Sequence, residues 1–336
     1  MKYFAKYFLI LVTILLTHCQ SKTEPENISK IINNEVIVFA EGHDEESQRY
    51  YYEFCDVVVM DLTTNQKYKF TNDHNIDESP ILSENRDGII FKSARNKTES
   101  IRRVQGASAD RQLYKFTFNR RKILLDNSID WDLVRRIFRL KGDSVFIFQH
   151  TYLKKPVPDS VSYTVANYIS ILNIQDNDLR TFKKYNKAKH DPRDIMLSPN
   201  KRYLVVNCFR HIHIYDLIED ISKKIETPEG VILSGFDPDS EKFLFSSKQN
   251  EYTEYYIKRE VTNKIILPPY EYIFNLREPV YYTKDGNLIG LASSDTTYYK
   301  EKIDVMMYDF KNRQYFLLTN DGLKKYDLMY YPKKEN

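Results

Sequence analysis

Residues 70–93 read FTNDHNIDESPILSENRDGIIFKS. A polar link runs into the short segment Asp77-Glu78-Ser79-Pro80-Ile81-Leu82-Ser83, then into the turn Asn85-Arg86-Asp87-Gly88, then into the strand-like run Ile89-Ile90-Phe91-Lys92-Ser93. Two short apolar segments around an Asn/Asp/Gly turn predict a β-hairpin. The same order recurs downstream. Residues 194–198 lead through Pro199-Asn200-Lys201-Arg202 to Tyr203-Leu204-Val205-Val206, and residues 231–236 lead through Asp237-Pro238-Asp239-Ser240 to residues 242–247. Residues 278–282 lead through Lys284-Asp285-Gly286 to residues 288–292. Residues 134–140 lead through Lys141-Gly142-Asp143-Ser144 to residues 145–148, and the only helix-compatible stretch, the Arg-rich 131–140, falls where this order demands a strand.

After a variable insertion each unit continues into an outer hairpin. The clearest are Val58-Val59-Met60-Asp61-Leu62 with Lys67-Tyr68-Lys69-Phe70, and residues 305–310 with residues 314–318; His213-Ile214-Tyr215-Asp216-Leu217 matches them. Two units close on nearly the same words, Phe70-Thr71-Asn72-Asp73 and Leu318-Thr319-Asn320-Asp321. Four strands per unit, repeating every ~40–60 residues, is the signature of β-propeller blades. The units predict an all-β, six-bladed β-propeller over residues 35–332. Its first unit, 35–73, lacks an innermost strand, and the tail Lys325-Tyr326-Asp327-Leu328-Met329-Tyr330-Tyr331-Pro332 occupies the place after Thr319-Asn320-Asp321 that residues 77–82 occupy after Thr71-Asn72-Asp73. A C-terminal strand completing the first blade closes the ring and removes the free edges of an open sheet.

Composition agrees. Of 336 residues, 42% are hydrophobic and 29% charged, which is globular rather than disordered. The 27 Tyr and 19 Phe favour strands. A formal charge of +3, from 50 Lys and Arg against 47 Asp and Glu, advertises no nucleic-acid partner. The 3 cysteines exclude a disulfide-rich scaffold. Cys55 and Cys208 fall in opposite blades of a six-blade ring, too far apart for a disulfide.

The N-terminus reads as an address. Lys2 and Lys6 precede the apolar run YFLILVTILL at residues 7–16, which is shorter than the ~20 residues a transmembrane helix needs. The run ends in Leu15-Leu16-Thr17-His18-Cys19 before polar Gln20, Ser21 and Lys22. This resembles the lipobox of bacterial lipoproteins, although Gly, Ala or Ser is usual where His18 stands. The resemblance implies a signal peptide over residues 1–18, lipidation at Cys19 and a flexible tether over 19–34. The alternatives are an ordinary secretory peptide cut nearby and an uncleaved anchor. An exported, membrane-anchored protein facing the periplasm or the surface of a diderm bacterium is the expectation.

The blades resemble the propeller repeats of the TolB family and of the dipeptidyl-peptidase and prolyl-oligopeptidase propellers. The match is strongest over residues 70–93, and the blades around residues 131–185 and 229–266 follow the pattern loosely. TolB itself carries an additional N-terminal domain, which the short stretch between Cys19 and the first blade does not match. The resemblance implies a non-enzymatic scaffold that binds proteins.

Candidate binding residues follow from the loops between second and third strands, which share one face with the links between blades. They are long at 41–54, 94–111 and 151–166, moderate in blades 5 and 6, and nearly absent in blade 4, where Phe209-Arg210 bridges the strands. Long loops on a rigid scaffold carry binding residues. Residues 41–54 are acidic and aromatic, whereas the next long loop is basic, with Arg95, Lys97, Arg102, Arg103 and Arg111 as candidate partner-binding residues. Opposite charges on adjacent blades would steer a partner of mixed surface; charges pairing with one another in solvated loops is the plainer reading.

Catalytic signals are weak. No Gly-x-Ser-x-Gly elbow is present, and Gly106-Ala107-Ser108-Ala109-Asp110 lacks its final glycine. His211 and His213, two apart on a strand, point to one face as half a metal site with no further ligand obvious. His43-Asp44-Glu45-Glu46 reads as an acidic loop, and His150 and His190-Asp191 sit at strand ends. Tyr50-Tyr51-Tyr52 and Tyr298-Tyr299 read as packing between blades, with a sugar-stacking platform as the alternative. No catalytic residue, metal or cofactor is assigned. The expectation is a monomeric envelope lipoprotein docking an envelope or extracellular protein. An envelope-anchored enzyme acting on a polysaccharide or peptide, and a surface-exposed adhesin, are the alternatives.

Overall fold

A computed structural model describes residues 24–42, 54–73, 75–95, 111–153, 165–185, 192–275, 278–294 and 303–334. Six antiparallel sheets form a six-bladed β-propeller. From the axis outward, blade 2 is Asp77–Leu82, Gly88–Ser93, Gln112–Thr117 and Lys122–Asp126; blade 3 is Val134–Lys141, Val145–Leu153, Val165–Asn173 and Asp178–Tyr185. Blade 4 is Pro192–Leu197, Tyr203–Cys208, His211–Asp216 and Ile221–Glu226; blade 5 is Ile232–Phe236, Lys242–Lys248, Glu251–Tyr256 and Val261–Ile266. Blade 6 splits its inner strand into Ile273–Phe274 and Val280–Tyr282, followed by Leu288–Ser293, Asp304–Asp309 and Gln314–Leu317. Blade 1 joins both ends of the chain: Lys325–Tyr331 is its inner strand, ahead of Val36–Gly42, Cys55–Asp61 and Gln66–Lys69. The tail therefore closes the ring as its sequence placement predicts, pairing Val36 with Tyr331 and Ala40 with Tyr326.

The repeated words have repeated jobs. In four blades a Ser, Thr or Asp ends the inner strand and caps the following turn. Ser83 Oγ accepts from Gly88 N at 3.0 Å, Ser198 Oγ from Tyr203 N at 2.8 Å, Thr283 Oγ1 from Asn287 N at 3.1 Å, and Asp237 Oδ1 from Lys242 N at 3.0 Å. Such side chains mimic a backbone turn and hold the hairpin's register. The Thr-Asn-Asp words work the same way twice. Thr71 Oγ1 accepts from Val57 N at 2.8 Å and donates to Asp56, while Thr319 Oγ1 accepts from Val305 N at 2.9 Å and donates to Asp304.

The cores lie between blades, where second and third strands bury both faces. A polar staple crosses three of these junctions from equivalent second-strand positions. Lys92 Nζ donates to Val134 O at 2.9 Å, Gln149 Nε2 to Pro192 O at 2.8 Å and Asn207 Nδ2 to Val231 O at 2.6 Å, all three side chains being buried. A carbonyl stripped of its buried partner costs ~1–3 kcal/mol. Asn207→Ala should lose that much in urea unfolding; an unchanged midpoint would remove the staple from the account.

Two segments differ from the sequence expectation. The second half of the 19–34 tether is ordered: Glu24–Ile31 is a helix, with Ile28 and Ile32 buried against Val57, Phe70 and Phe91 of blades 1 and 2. Three isoleucines in an otherwise polar stretch make no helix alone, because short helices need a tertiary surface. That surface exists only once the two blades adjoin. Blade 5 also turns tightly between its second and third strands, pairing Lys248 with Glu251 where a moderate loop is expected. The stretch 131–140 forms a single 3-10 turn, Trp131–Leu133, before its strand; Trp131 is fully buried and donates to Asp126 Oδ2 at 2.8 Å.

Candidate functional site

Every inner strand is irregular. Ladder shifts fall between Glu78 and Ile81, Val134 and Arg136, Pro192 and Asp194, Leu233 and Phe236, and opposite Phe39 in the closing strand; blade 6 breaks its inner strand altogether. Bulges re-aim side chains, and here Ser79, Arg136, Asp194, Glu278 and Asp327 of five blades meet, while Ser234 of blade 5 lines the adjoining cavity. Ser79 and Asp327 hold left-handed backbone, at φ 52° and 53°. In blade 5 the bulge contains Gly235, where a Cβ would lie 2.3 Å from Val280 O of blade 6; only glycine permits that approach.

Arg136 organises the ring. Its Nε lies 3.4 Å from Asp194 Oδ1, and its Nη1 lies 3.8 Å from Glu278 Oε2 and 3.9 Å from Asp327 Oδ1. Asp327 Oδ2 accepts from Ser79 N at 2.9 Å and Ser79 Oγ at 3.1 Å, which locks the hydroxyl. Burial works to lower the Arg136 pKa, but the three carboxylates hold the guanidinium firmly charged. Burial pushes the Glu278 carboxyl up to about 7, with Arg136 opposing and Asp327 and Asp194 adding to the rise. Burial raises Asp194 as well, against the pull of Arg136. Glu278 can therefore exchange a proton near neutral pH. A cavity of about 310 Å³ runs from this floor toward the face bearing the turns after the inner strands. Its wall is apolar, with Phe138, Tyr281 and Met329, and Arg86, Arg139 and Lys201 stand among its lining residues. Such a cavity suits a narrow apolar group ending in a donor or a cation.

The sequence carries a trace of this ring. Each of the six inner strands carries a polar residue in its middle, at Ser79, Arg136, Asp194, Ser234, Glu278 and Asp327, although its distance from the turn varies between blades.

The basic candidates divide. Arg95 and Arg111 flank the segment 96–110 and are committed within the chain. Arg95 pairs with Asp73 and Asp77 and lies over the Phe116 ring at 4.7 Å. Asp56, Asp73 and Asp77, whose carboxylates cluster, thus enclose cations from Arg95 and from Lys69, the latter 3.2 Å from Asp56. Burial still raises Asp77 to about 7, with Arg95 opposing. Arg111 pairs with Asp132 at 2.6 Å and Glu78 at 3.0 Å, and these carboxylates raise its pKa against the burial that would lower it. Lys97, Arg102, Arg103 and Cys19 lie outside the described residues, as do His43 to Glu46, Gly106 to Asp110 and His190-Asp191. His150 is accounted for in blade 3: Nε2 lies 2.8 Å from Ser170 Oγ, the ring stacks on Tyr168, and burial lowers its pKa. Neither Cys55 nor Cys208 forms a disulfide.

No protein-family model matches the chain, and no curated protein matches it in sequence. Solved structures do. TolB from Acinetobacter baumannii superposes with a TM-score of 0.60 at 12% identity, over 89% of this chain and 67% of that one. A chain of a nidogen–laminin complex superposes with a TM-score of 0.53 at 10% identity, over 88% of this chain and 98% of that one. At such identities the likeness is one of fold: a TolB-like β-propeller.

Proposed function

We propose that this protein is a non-enzymatic, exported lipoprotein, anchored through a lipid on Cys19, whose propeller docks another protein of the envelope or the extracellular space. The observation that carries the reading is topological. Antiparallel blades place the ends of Gly42, Ser93, Leu153 and Ser293, and the starts of Cys55, Gln112, Val165 and Asp304, on one face. Three long segments and a moderate one, of contrasting charge, therefore leave one rigid rim, and long segments on rigid scaffolds carry recognition. The nidogen propeller was solved in a complex with laminin, an instance of this fold holding a protein. The outer strand Ile221–Glu226 carries Lys223, Lys224 and Glu226, charges that discourage edge-to-edge pairing and favour a monomer. With Arg95 and Arg111 held at the roots of the basic segment, Lys97, Arg102 and Arg103 are its docking cations.

The test is in-cell cross-linking of the tagged full chain, with mass spectrometry of what co-purifies from wild type, Arg102→Ala/Arg103→Ala and Cys19→Ala. The expected result is one envelope or extracellular protein enriched with wild type and reduced about tenfold in the double variant, as for a lost pair of ~1.4 kcal/mol. Cys19→Ala should leave the membrane fraction. No enriched protein in any sample would reject docking, and equal enrichment by the double variant would reject the basic segment as its site.

A further inference from the structure

We propose that the corner of blade 4 built by Cys208, His211 and His213 binds a divalent cation of the zinc class. The two imidazoles face one side of the strand His211–Asp216, as their spacing requires, and the hairpin supplies a third donor. Only Phe209 and Arg210 separate the strands, so Cys208 pairs directly with His211 across the ladder. Directly opposed residues share a face. One sulfur and two ring nitrogens consequently gather within 4.8 Å of one another. A tetrahedral zinc ion, with bonds of ~2.0–2.3 Å, holds such atoms ~3.3–3.7 Å apart. Side-chain rotation of about 1 Å closes the difference, and a hairpin of this rigidity supplies the frame.

The surroundings fit a metal with one exchangeable position. Cys208 is fully buried and His211 nearly so, while His213 is half-buried and stacks on Tyr215, with centroids 5.9 Å apart at 20°. The ligand shell thus has a buried side and an open one. On the open side Glu226 pairs with His211 in the next strand of the ladder. Its carboxylate is held by Lys224 at 2.6 Å. Glu226 stands outside the three-donor cluster, so the fourth position is open to a water or an incoming ligand. Binding displaces the Cys208 thiol proton to solvent and leaves both imidazoles neutral. One thiolate and two imidazoles suit zinc and its neighbours, whereas calcium and magnesium prefer oxygen ligands.

The full chain is purified free of metal and titrated with zinc, cobalt, calcium and magnesium. One zinc per chain is expected, with a melting temperature that rises with zinc concentration and not with calcium or magnesium. Cobalt should show a thiolate-to-metal charge-transfer band that survives Cys55→Ser and vanishes in Cys208→Ser. His213→Ala, at the half-exposed ligand, should keep the metal-free melting curve and weaken zinc binding at least about tenfold, the smallest loss expected of a ligand when outer-shell groups already cost that much. A cobalt spectrum without the thiolate band in wild type, or zinc affinity unchanged in His213→Ala, overturns the proposal.

Discussion

Removal of residues 324–336 should lower the melting temperature by at least about 10 °C, or leave the chain unfolded at room temperature. The deleted strand is the inner strand of blade 1, and several independent contributions go with it. Leu328 is fully buried, and a side chain so placed contributes ~1.5–3 kcal/mol. Lys325, also fully buried, sits 2.7 Å from Asp321 and 3.4 Å from Asp304. Deleting it leaves the buried Asp304 without that cation, a change that costs ~3–5 kcal/mol in comparable sites. Arg86 donates to Pro332 O at 2.6 Å as well as to Ile32 O at 2.9 Å, and Tyr331 Oη accepts from Leu82 N at 2.9 Å. The tail therefore binds blade 2 and the N-terminal segment besides pairing with Val36–Gly42. Together these losses rival the ~5–15 kcal/mol by which a domain is stable, and the exposed edge invites aggregation. Leu328→Ala, which creates only a cavity, should fall between the two. A truncated chain with an unaltered melting curve would mean that the ring closes by some other pairing.

The second large effect is expected at Arg136. Arg136→Met leaves Asp194, Glu278 and Asp327 together without the cation that lies within 3.9 Å of each. Removing one partner of a buried ionic group costs ~3–5 kcal/mol, and the variant should show that loss at pH 8. The sign of its pH dependence follows from Glu278, whose carboxyl moves from an ordinary 4.5 to about 7 on folding. Between those values the folded chain holds a proton that the unfolded chain has released. The Glu278 contribution to stability is therefore greatest below pH 4.5, falls as pH rises, and is fully lost above pH 7, an effect of ~2–4 kcal/mol. Asp77, raised from 3.8 to about 7, adds a slope of the same sign from blade 2. Without Arg136, Glu278 and Asp194 protonate more readily still, so the Arg136→Met penalty should shrink to about 1 kcal/mol at pH 5. Glu278→Gln should stabilise the otherwise unaltered chain at pH 8, and should recover part of the loss in the Arg136→Met background. Urea unfolding at pH 5 and pH 8 measures all four chains. A penalty independent of pH would show that the ring is held by packing rather than by coupled charge.

Much of the architecture was legible because its determinants are local. The capped turns at Ser83, Ser198, Asp237 and Thr283, the Thr-Asn-Asp words and the unpaired first unit repeat in the chain as they repeat in space. The candidate sites were less legible, in two ways. Cys208 stands opposite His211 as soon as the two-residue turn is drawn with its register, so that third donor was available to a reading that followed the ladder. Arg95 and Arg111, by contrast, look like free cations in a basic loop. Their carboxylate partners Asp73, Asp77, Glu78 and Asp132 belong to blade links and inner strands, which meet them only in the folded ring.

Alternation, turn chemistry and a repeated word are properties of a few neighbouring residues, and they alone determined that this chain forms blades, how many, and which strand closes them. Position around an axis is not local. Ser79, Arg136, Asp194, Glu278 and Asp327 stand far apart in the chain, and only the closed ring brings their side chains together and shields them from water. Desolvation and mutual charge then set the near-neutral pKa of Glu278. The same holds for the N-terminal helix, whose Ile28 and Ile32 find an apolar surface only where two finished blades adjoin. Tertiary structure decided these features because burial and long-range charge exist only after the chain has folded.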